Sequence, residues 1–195
     1  MVFLMHKLFK GRIFVGHRGE LIVMNDFWVF GYGSLMWNPG FIYDHVMPGR
    51  IYGYHRSLCI YSHHYRGTPE FPGLVLGLNR GGCCDGLAFH VTEENAKKTY
   101  EYLIEREQVN SVYIEKQQSI YLQDKRIVKG LFFVADETHE QYAGKLGVKE
   151  MVEIIRRSSG IAGTNSDYVL NTIEMLREKG IQDTQLRKLA TYLTQ

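Results

Sequence analysis

Two short stretches carry residue types at spacings that suit chemistry on a small charged molecule. The first is Trp28-Val-Phe-Gly-Tyr-Gly-Ser-Leu-Met36, a strand-like apolar run ending in Gly31, Tyr32, Gly33 and Ser34. Glycines there let a backbone approach a ligand closely. Successive main-chain N–H groups at such a turn form a concave site for a small anion such as a free carboxylate, although the same residues also suit a plain tight turn. The spacing is not that of a dinucleotide fingerprint, and Trp37-Asn-Pro-Gly40 breaks the chain where that fold would open a helix. The second stretch is Ala96, Tyr100, Leu103 and Glu107, which follow one another at steps of four, three and four residues. A helix places all four on one stripe, so Glu107 is an acid on the apolar side, while Glu101 and Glu105 fall on other faces and are expected in solvent. An inward carboxylate either pairs with a buried Arg, caps a backbone group, or serves as a base whose pKa desolvation has raised.

Two further segments mix polar and aromatic residues. In His63-His-Tyr-Arg-Gly-Thr-Pro-Glu-Phe-Pro-Gly73 the adjacent histidines His63 and His64 are poorly placed to share one ion, and no acid stands at ligand spacing, so no metal site is expected. Arg66 suits a carboxylate clamp or a structural ion pair. Gly163-Thr-Asn-Ser-Asp-Tyr-Val-Leu170 reads as a helix start followed by Tyr168, a ring that core packing would also explain. Cys59, Cys83 and Cys84 have no C-x-x-C spacing and cannot form a disulfide framework, which suits a reducing compartment. Cys83 and Cys84 sit among Gly81, Gly82 and Gly86 and read as exposed residues of a turn between strands, with no chemistry assigned.

The elements that must position these residues follow from periodicity. Phe27–Phe30, Arg50–Tyr61, Leu74–Leu78, Leu87–Val91, Val112–Leu122 and Ile127–Val134 read as strands bounded by turn residues. Between the fourth and fifth lies a helix over Thr92–Glu107, with Thr92 as cap and Glu93 and Glu94 opposing its N-terminal dipole. Val148, Met151, Val152 and Ile155 share one helical face, Asn165 or Ser166 caps a helix running to Gly180, and a last helix follows Asp183. Strands first, helices last and one helix inserted predict an α+β fold whose sheet is antiparallel or mixed and curls toward a barrel. Trp37–Gly49 and Ser62–Gly73 read as surface loops, where sites are usually built.

Composition narrows the function further. With 195 residues, 45% hydrophobic and 23% charged, the chain can bury one substantial core. A net charge of +2 with dispersed Lys and Arg argues against nucleic-acid binding, and no apolar run approaches the roughly 20 residues that cross a bilayer. Residues 1–25 are basic, lack the pattern of a secretory signal, and read as a disordered tail, an extra strand through Arg12–Val15, or sequence upstream of a start at Met24. The functional domain is therefore expected over 26–195, with 1–25 a dispensable extension.

Taken together these stretches resemble the ChaC-type, glutathione-specific γ-glutamylcyclotransferases. Val-Phe-Gly-Tyr-Gly-Ser-Leu-Met-Trp-Asn-Pro-Gly-Phe41, Tyr-Arg-Gly-Thr-Pro-Glu70, Pro-Gly-Leu-Val-Leu-Gly-Leu78, Glu-Arg-Glu107, Gln-Tyr-Ala-Gly144 and Asn165-Ser-Asp-Tyr168 occur in family order, across about Phe27 to Leu189. The N-terminal segment and the Cys83-Cys84 stretch depart from the pattern. The resemblance implies a small mixed β-barrel with flanking helices, a γ-glutamyl-binding loop over Val29, Phe30, Gly31, Tyr32, Gly33 and Ser34, and Glu107 as proton acceptor. Arg66 and Tyr168 are further candidates for substrate binding. It also implies cytoplasmic glutathione as substrate, no cofactor and no metal, the α-amine attacking its own γ-carbonyl to give 5-oxoproline and cysteinylglycine. Two alternatives remain open from sequence: a non-catalytic γ-glutamyl-binding or cation-transport regulatory protein, and a cyclotransferase acting on other γ-glutamyl amines.

Overall fold

The computed structural model describes residues 12–15, 21–107 and 111–194. A hairpin of β1 (Arg12–Val15) and β2 (Leu21–Met24) precedes a closed barrel built from β3 (Phe27–Gly31), β4 (His45–Ser62), β5 (Gly73–Val91), β6 (Tyr113–Leu122) and β7 (Ile127–Ala135). The expected extra strand is thus β1, while residues 1–11 and 16–20 of the extension lie outside the described residues. Around the barrel run β3-β5-β4-β6-β7. Every pairing is antiparallel except β3 on β7, where Trp28 faces Gly130 and Val29 faces Leu131 in parallel. That one parallel seam closes a sheet which would otherwise expose two edges. The α+β class and the mixed barrel match the expectation.

Strand alternation divides the core. Along β3, Trp28 and Phe30 pack with Ile51, Leu76, Ile120 and Phe132, whereas Val29 packs with Phe89, Leu131, Phe133 and Leu103 of α1 (Glu93–Glu107). Successive side chains leave a strand on opposite faces, so β3 is buried on both. Leu103 is fully buried, and truncating such a leucine costs about 2–5 kcal/mol. The placement of Glu107 depends on that packing, because it stands one turn further along α1. Thr92 precedes the helix, and its hydroxyl accepts from the Asn95 side-chain amide at 3.3 Å rather than from a backbone N–H.

The other face is covered by α2 (Val148–Arg157), α3 (Asn165–Glu178) and α4 (Thr184–Leu193), with a two-residue ladder, β8 (Ser159–Gly160) and β9 (Gly163–Thr164), between α2 and α3. Met151, Ile155, Val169, Leu176, Leu186 and Leu189 supply their apolar stripes.

Three expectations are corrected. Leu74–Leu78 and Leu87–Val91 are parts of one strand, β5, and Cys83 and Cys84 are not in a turn. The chain bends there without leaving the ladder, because Gly81 and Gly82 take φ of 97° and 71° opposite a register shift in β4 between Tyr52 and Tyr54. Alternation then exposes Cys83 and buries Cys84. Second, the segment 37–49 is loop only as far as Asp44, since β4 begins at His45, paired to His90. Third, the cap of α3 is Thr164, whose hydroxyl accepts from Asp167 N at 3.1 Å. Asn165 is fully buried and serves differently, its amide exchanging bonds of 2.7 and 2.8 Å with the backbone N–H and C=O of Leu74. This fork pins the start of α3 to β5.

Candidate active site

The end of β3, the last turn of α1, the start of β6, β5 around Leu76, the loop after β4 and the first turn of α3 surround one cleft of about 650 Å³. That volume lies inside the about 300–1,000 Å³ usual for small-molecule sites. Of the residues expected from sequence, Phe30, Tyr32, Gly33, Ser34, Arg66, Glu107 and Tyr168 line it. Val29 packs under α1 instead. Gly31 backs the turn, where a Cβ would come within 3.1 Å of the Leu35 Cβ.

Past β3 the chain makes a single 3-10 turn, Ser34–Met36. Its first internal bond runs from Met36 N to Gly33 O at 2.9 Å, which leaves the Ser34 and Leu35 N–H groups without an acceptor inside the turn. The turn therefore has the donors that an anion site needs. Glu107 lines the same cleft with 16% of its side chain exposed. Burial raises its pKa above the ordinary value, and the neighbouring Arg106 offsets part of that rise. Glu101 and Glu105 are exposed, as helical spacing predicts.

Five tyrosines line the wall, and burial pushes the pKa of Tyr32, Tyr113 and Tyr168 up, that of Tyr168 to about 12, so these three keep their protons at neutral pH. Their hydrogen bonds differ. The Tyr113 hydroxyl donates to Leu76 O at 2.8 Å, while Tyr168 Oη accepts from Leu76 N at 3.2 Å. The Thr172 hydroxyl lies within hydrogen-bonding reach of the Tyr168 hydroxyl, whereas among the described residues no acceptor takes the Tyr32 proton, so Tyr32 can donate to a ligand and Tyr113 cannot without releasing Leu76.

Arg66 is brought over the Tyr168 ring, 5.3 Å from its centroid, and donates to Thr164 O at 3.3 Å. Among the described residues it has no carboxylate partner. The loop neck that carries it closes tightly: a Cβ on Gly73 would run into the Arg66 carbonyl, so only glycine fits. His63 and His64 lie outside the cleft, and among the described residues no group of three His, Cys, Asp or Glu could hold a metal ion. Burial pushes the Cys59 and Cys84 thiols up to about 12 and 11, which leaves them protonated and poor nucleophiles.

Sequence reasoning missed Arg106, Tyr102 and Tyr113. Arg106 donates to Asn38 O at 2.7 Å, Tyr102 Oη at 2.7 Å and Ser34 Oγ at 2.9 Å, fastening the helix that carries Glu107 to the turn. Only its place beside Glu107 signalled it, since its acceptors on the turn and the following loop lie far away along the chain.

The model of the ChaC-like protein family matches residues 27–195. The chain is similar to the glutathione-specific gamma-glutamylcyclotransferase of Escherichia coli (strain K12), 33% identical over 162 residues that cover 83% of this chain and 70% of that protein. It is also similar to glutathione-specific gamma-glutamylcyclotransferase 1 of Homo sapiens, 33% identical over 159 residues covering 80% and 72%. Among solved structures, the selenomethionine-labelled γ-glutamyl cyclotransferase specific to glutathione from yeast superposes with a TM-score of 0.78 at 22% identity, covering 88% of this chain and 96% of that one, a likeness of fold. No helix among the described residues is long and apolar enough to cross a membrane. The family match opens at the first barrel strand and takes in every wall of the cleft, and this chain belongs to the ChaC-like family.

Proposed function

We propose that this chain is a γ-glutamylcyclotransferase acting on glutathione. The observation that carries the proposal is a half-buried glutamate of raised pKa, Glu107, in one cleft with the donor-rich turn at Gly33–Leu35. The α-carboxylate of the γ-glutamyl group binds the turn, and Glu107 takes a proton from the α-ammonium. The freed amine adds to its own γ-carbonyl, forming a C–N bond and a tetrahedral oxyanion. The C–N bond to cysteine then breaks as the proton on Glu107 passes to the departing nitrogen, and the ring nitrogen gives up its second proton to the carboxylate so freed, leaving 5-oxoproline and cysteinylglycine. Nucleophile and electrophile belong to one chain, so the protein has only to hold it folded, and such oriented reactions reach effective molarities on the order of 10⁵ M or more. Tyr32, whose proton no acceptor takes among the described residues, is the side-chain donor suited to the oxyanion.

Charge supports the choice of substrate. The cleft wall carries Arg66, Arg106 and Glu107, and glutathione carries two carboxylates and one ammonium. Arg66 is assigned to the glycine carboxylate, remote from the reacting atoms. A binding or regulatory module would have no use for a desolvated carboxylate beside a carboxylate-binding turn, since Glu107 repels the ligand carboxylate that the turn attracts. The chemistry asks for a base and oxyanion donors, and no metal or cofactor is assigned. The working unit is assigned to residues 26–195, with 1–25 dispensable, in the cytoplasm where reduced glutathione is abundant. Release of 5-oxoproline from reduced glutathione by the purified protein is the test. Its absence, with the protein folded and substrate bound, overturns the assignment.

A further inference from the structure

One deeply buried cation is not used by the chemistry above. Arg56, on β4, is 4% exposed, and each of its three guanidinium nitrogens makes a hydrogen bond. Its Nε donates to Tyr32 O at 2.6 Å, its Nη2 to Asp85 O at 2.6 Å, and its Nη1 to Asp183 Oδ2 at 3.1 Å. Asp183 is the cap of α4, accepting from Leu186 N at 3.0 Å through its other oxygen. Three segments far apart in the chain, the substrate turn, the middle of β5 and the start of α4, thus meet on one side chain.

The bond to Tyr32 has a consequence for the turn. In a trans peptide the C=O and the following N–H lie in one plane and point in opposite directions. With the Tyr32 carbonyl drawn toward Arg56 beneath the turn, the Gly33 N–H is directed to the other side, where Gly33 lines the cleft. A glycine-rich turn does not hold one peptide orientation by itself, because without Cβ atoms the alternative rotation is cheap. A short charge-assisted bond from a planar, always-charged donor selects one of the two. Burying that donor is tolerable only with a counter-charge, and Asp183 is the carboxylate in contact with it.

We propose that Arg56 is a positioning residue for the α-carboxylate subsite, and that Asp183 makes the C-terminal helices part of that subsite by neutralising it. This rests on the assignment of the turn at Gly33–Leu35 as the α-carboxylate site. Neither residue touches substrate. Both act by keeping the Gly33 N–H aimed into the cleft.

The test is steady-state kinetics with glutathione, together with inhibition by each product, for the full chain, Arg56→Lys and Asp183→Asn. Lysine keeps the charge but replaces a planar fork by one point donor. Asparagine keeps a cap oxygen for Leu186 but removes the charge facing Arg56. In Arg56→Lys, KM for glutathione and Ki for 5-oxoproline are expected to rise together by about tenfold, or about 1.4 kcal/mol, with kcat within about twofold and Ki for cysteinylglycine unchanged. Asp183→Asn is expected to show the same pattern at about threefold. This split marks lost ground-state binding at one end of the substrate, which general destabilisation does not produce. If Arg56→Lys fails to fold, Asp183→Asn decides alone. A fall in kcat with unchanged 5-oxoproline affinity, or equal weakening of both products, overturns the proposal while leaving the cyclotransferase assignment intact. A parent protein that turns over glutathione but is not inhibited by 5-oxoproline removes the carboxylate subsite, and this proposal with it.

Discussion

Arg106 and Glu107 leave the last turn of α1 into the same cleft with Nε and Oε1 3.5 Å apart, yet the guanidinium makes its hydrogen bonds elsewhere, to Ser34, Asn38, Pro39 and Tyr102. The carboxylate is thus attracted by the cation without being consumed by it. Desolvation outweighs that attraction and the pKa rises. A fully bonded pair would instead have locked Glu107 in its charged form and left no capacity to take and return a proton.

Glu107→Gln, which keeps shape and removes the base, is expected to lower kcat by about 10²–10⁴-fold while substrate binding stays within a small factor. Glu105→Gln, on the exposed face, is expected to be nearly silent. Single-turnover release of 5-oxoproline and equilibrium binding of glutathione measure the two halves. Comparable turnover in parent and Glu107→Gln would sink the mechanism.

The same substitution has a stability signature whose sign follows from the pKa. Burial raises Glu107 above its ordinary 4.5, so the folded state holds this proton more tightly than the unfolded chain does. Its stabilising contribution is therefore full below about pH 4.5 and is lost as pH rises through the folded-state pKa. Glutamine stays neutral throughout, so Glu107→Gln is expected to melt above the parent at pH 7.5, by about 2–4 °C for each kcal/mol relieved, and level with it at about pH 4. Thermal melts at both values check this, and a lower Tm for the variant at pH 7.5 contradicts it.

Arg66→Ala is expected to lower kcat/KM for glutathione by about 10–100-fold, the worth of one hydrogen bond to a charged group, and to leave γ-glutamyl-alanine, which lacks the glycine carboxylate, nearly unaffected. In the parent, glutathione is expected to be far the better substrate. Equal turnover of γ-glutamyl-alanine by the parent would remove the glutathione assignment and spare the cyclotransferase one. A preference kept in Arg66→Ala would remove only the clamp.

Deleting Met1 to Val23 is expected to leave kcat and KM unchanged, because the family match begins at residue 27 and no wall of the cleft lies before it. An insoluble or inactive truncation would make the β1–β2 hairpin an integral part of the domain.

Dialysis against a chelator is expected to leave activity intact, since an intramolecular aminolysis asks for a base and oxyanion donors rather than a Lewis acid. Loss of activity that one divalent ion restores would return His63 and His64 to the site.

The sequence alone determined what is local. A helical period of four, three and four residues placed Glu107 inward and Glu105 outward, and both hold because side-chain direction on a helix depends only on position along it. The Gly31–Ser34 turn, the inserted helix and the α+β order were legible for the same reason. Errors arose where a local signal had two outcomes. The Gly81-Gly82 pair reads as a turn by composition, but pairing with β4 on either side of the bend turns it into a kink within β5. Thr164, Asn165 and Ser166 are all good caps, and burial of Asn165 against Leu74 decides which one serves.

What only tertiary structure decided is the partnership between distant groups. Arg106 meets Ser34 across 72 residues and Arg56 meets Asp183 across 127, distances over which sequence spacing carries no information. Arg56 lay inside an apolar run with nothing to set it apart. Closure of the barrel by the parallel β3–β7 seam brings the turn, α1 and β5 around one cleft. Arg56, 4% exposed and not among the residues that line the cleft, must find fixed acceptors for its guanidinium, because solvent does not satisfy it.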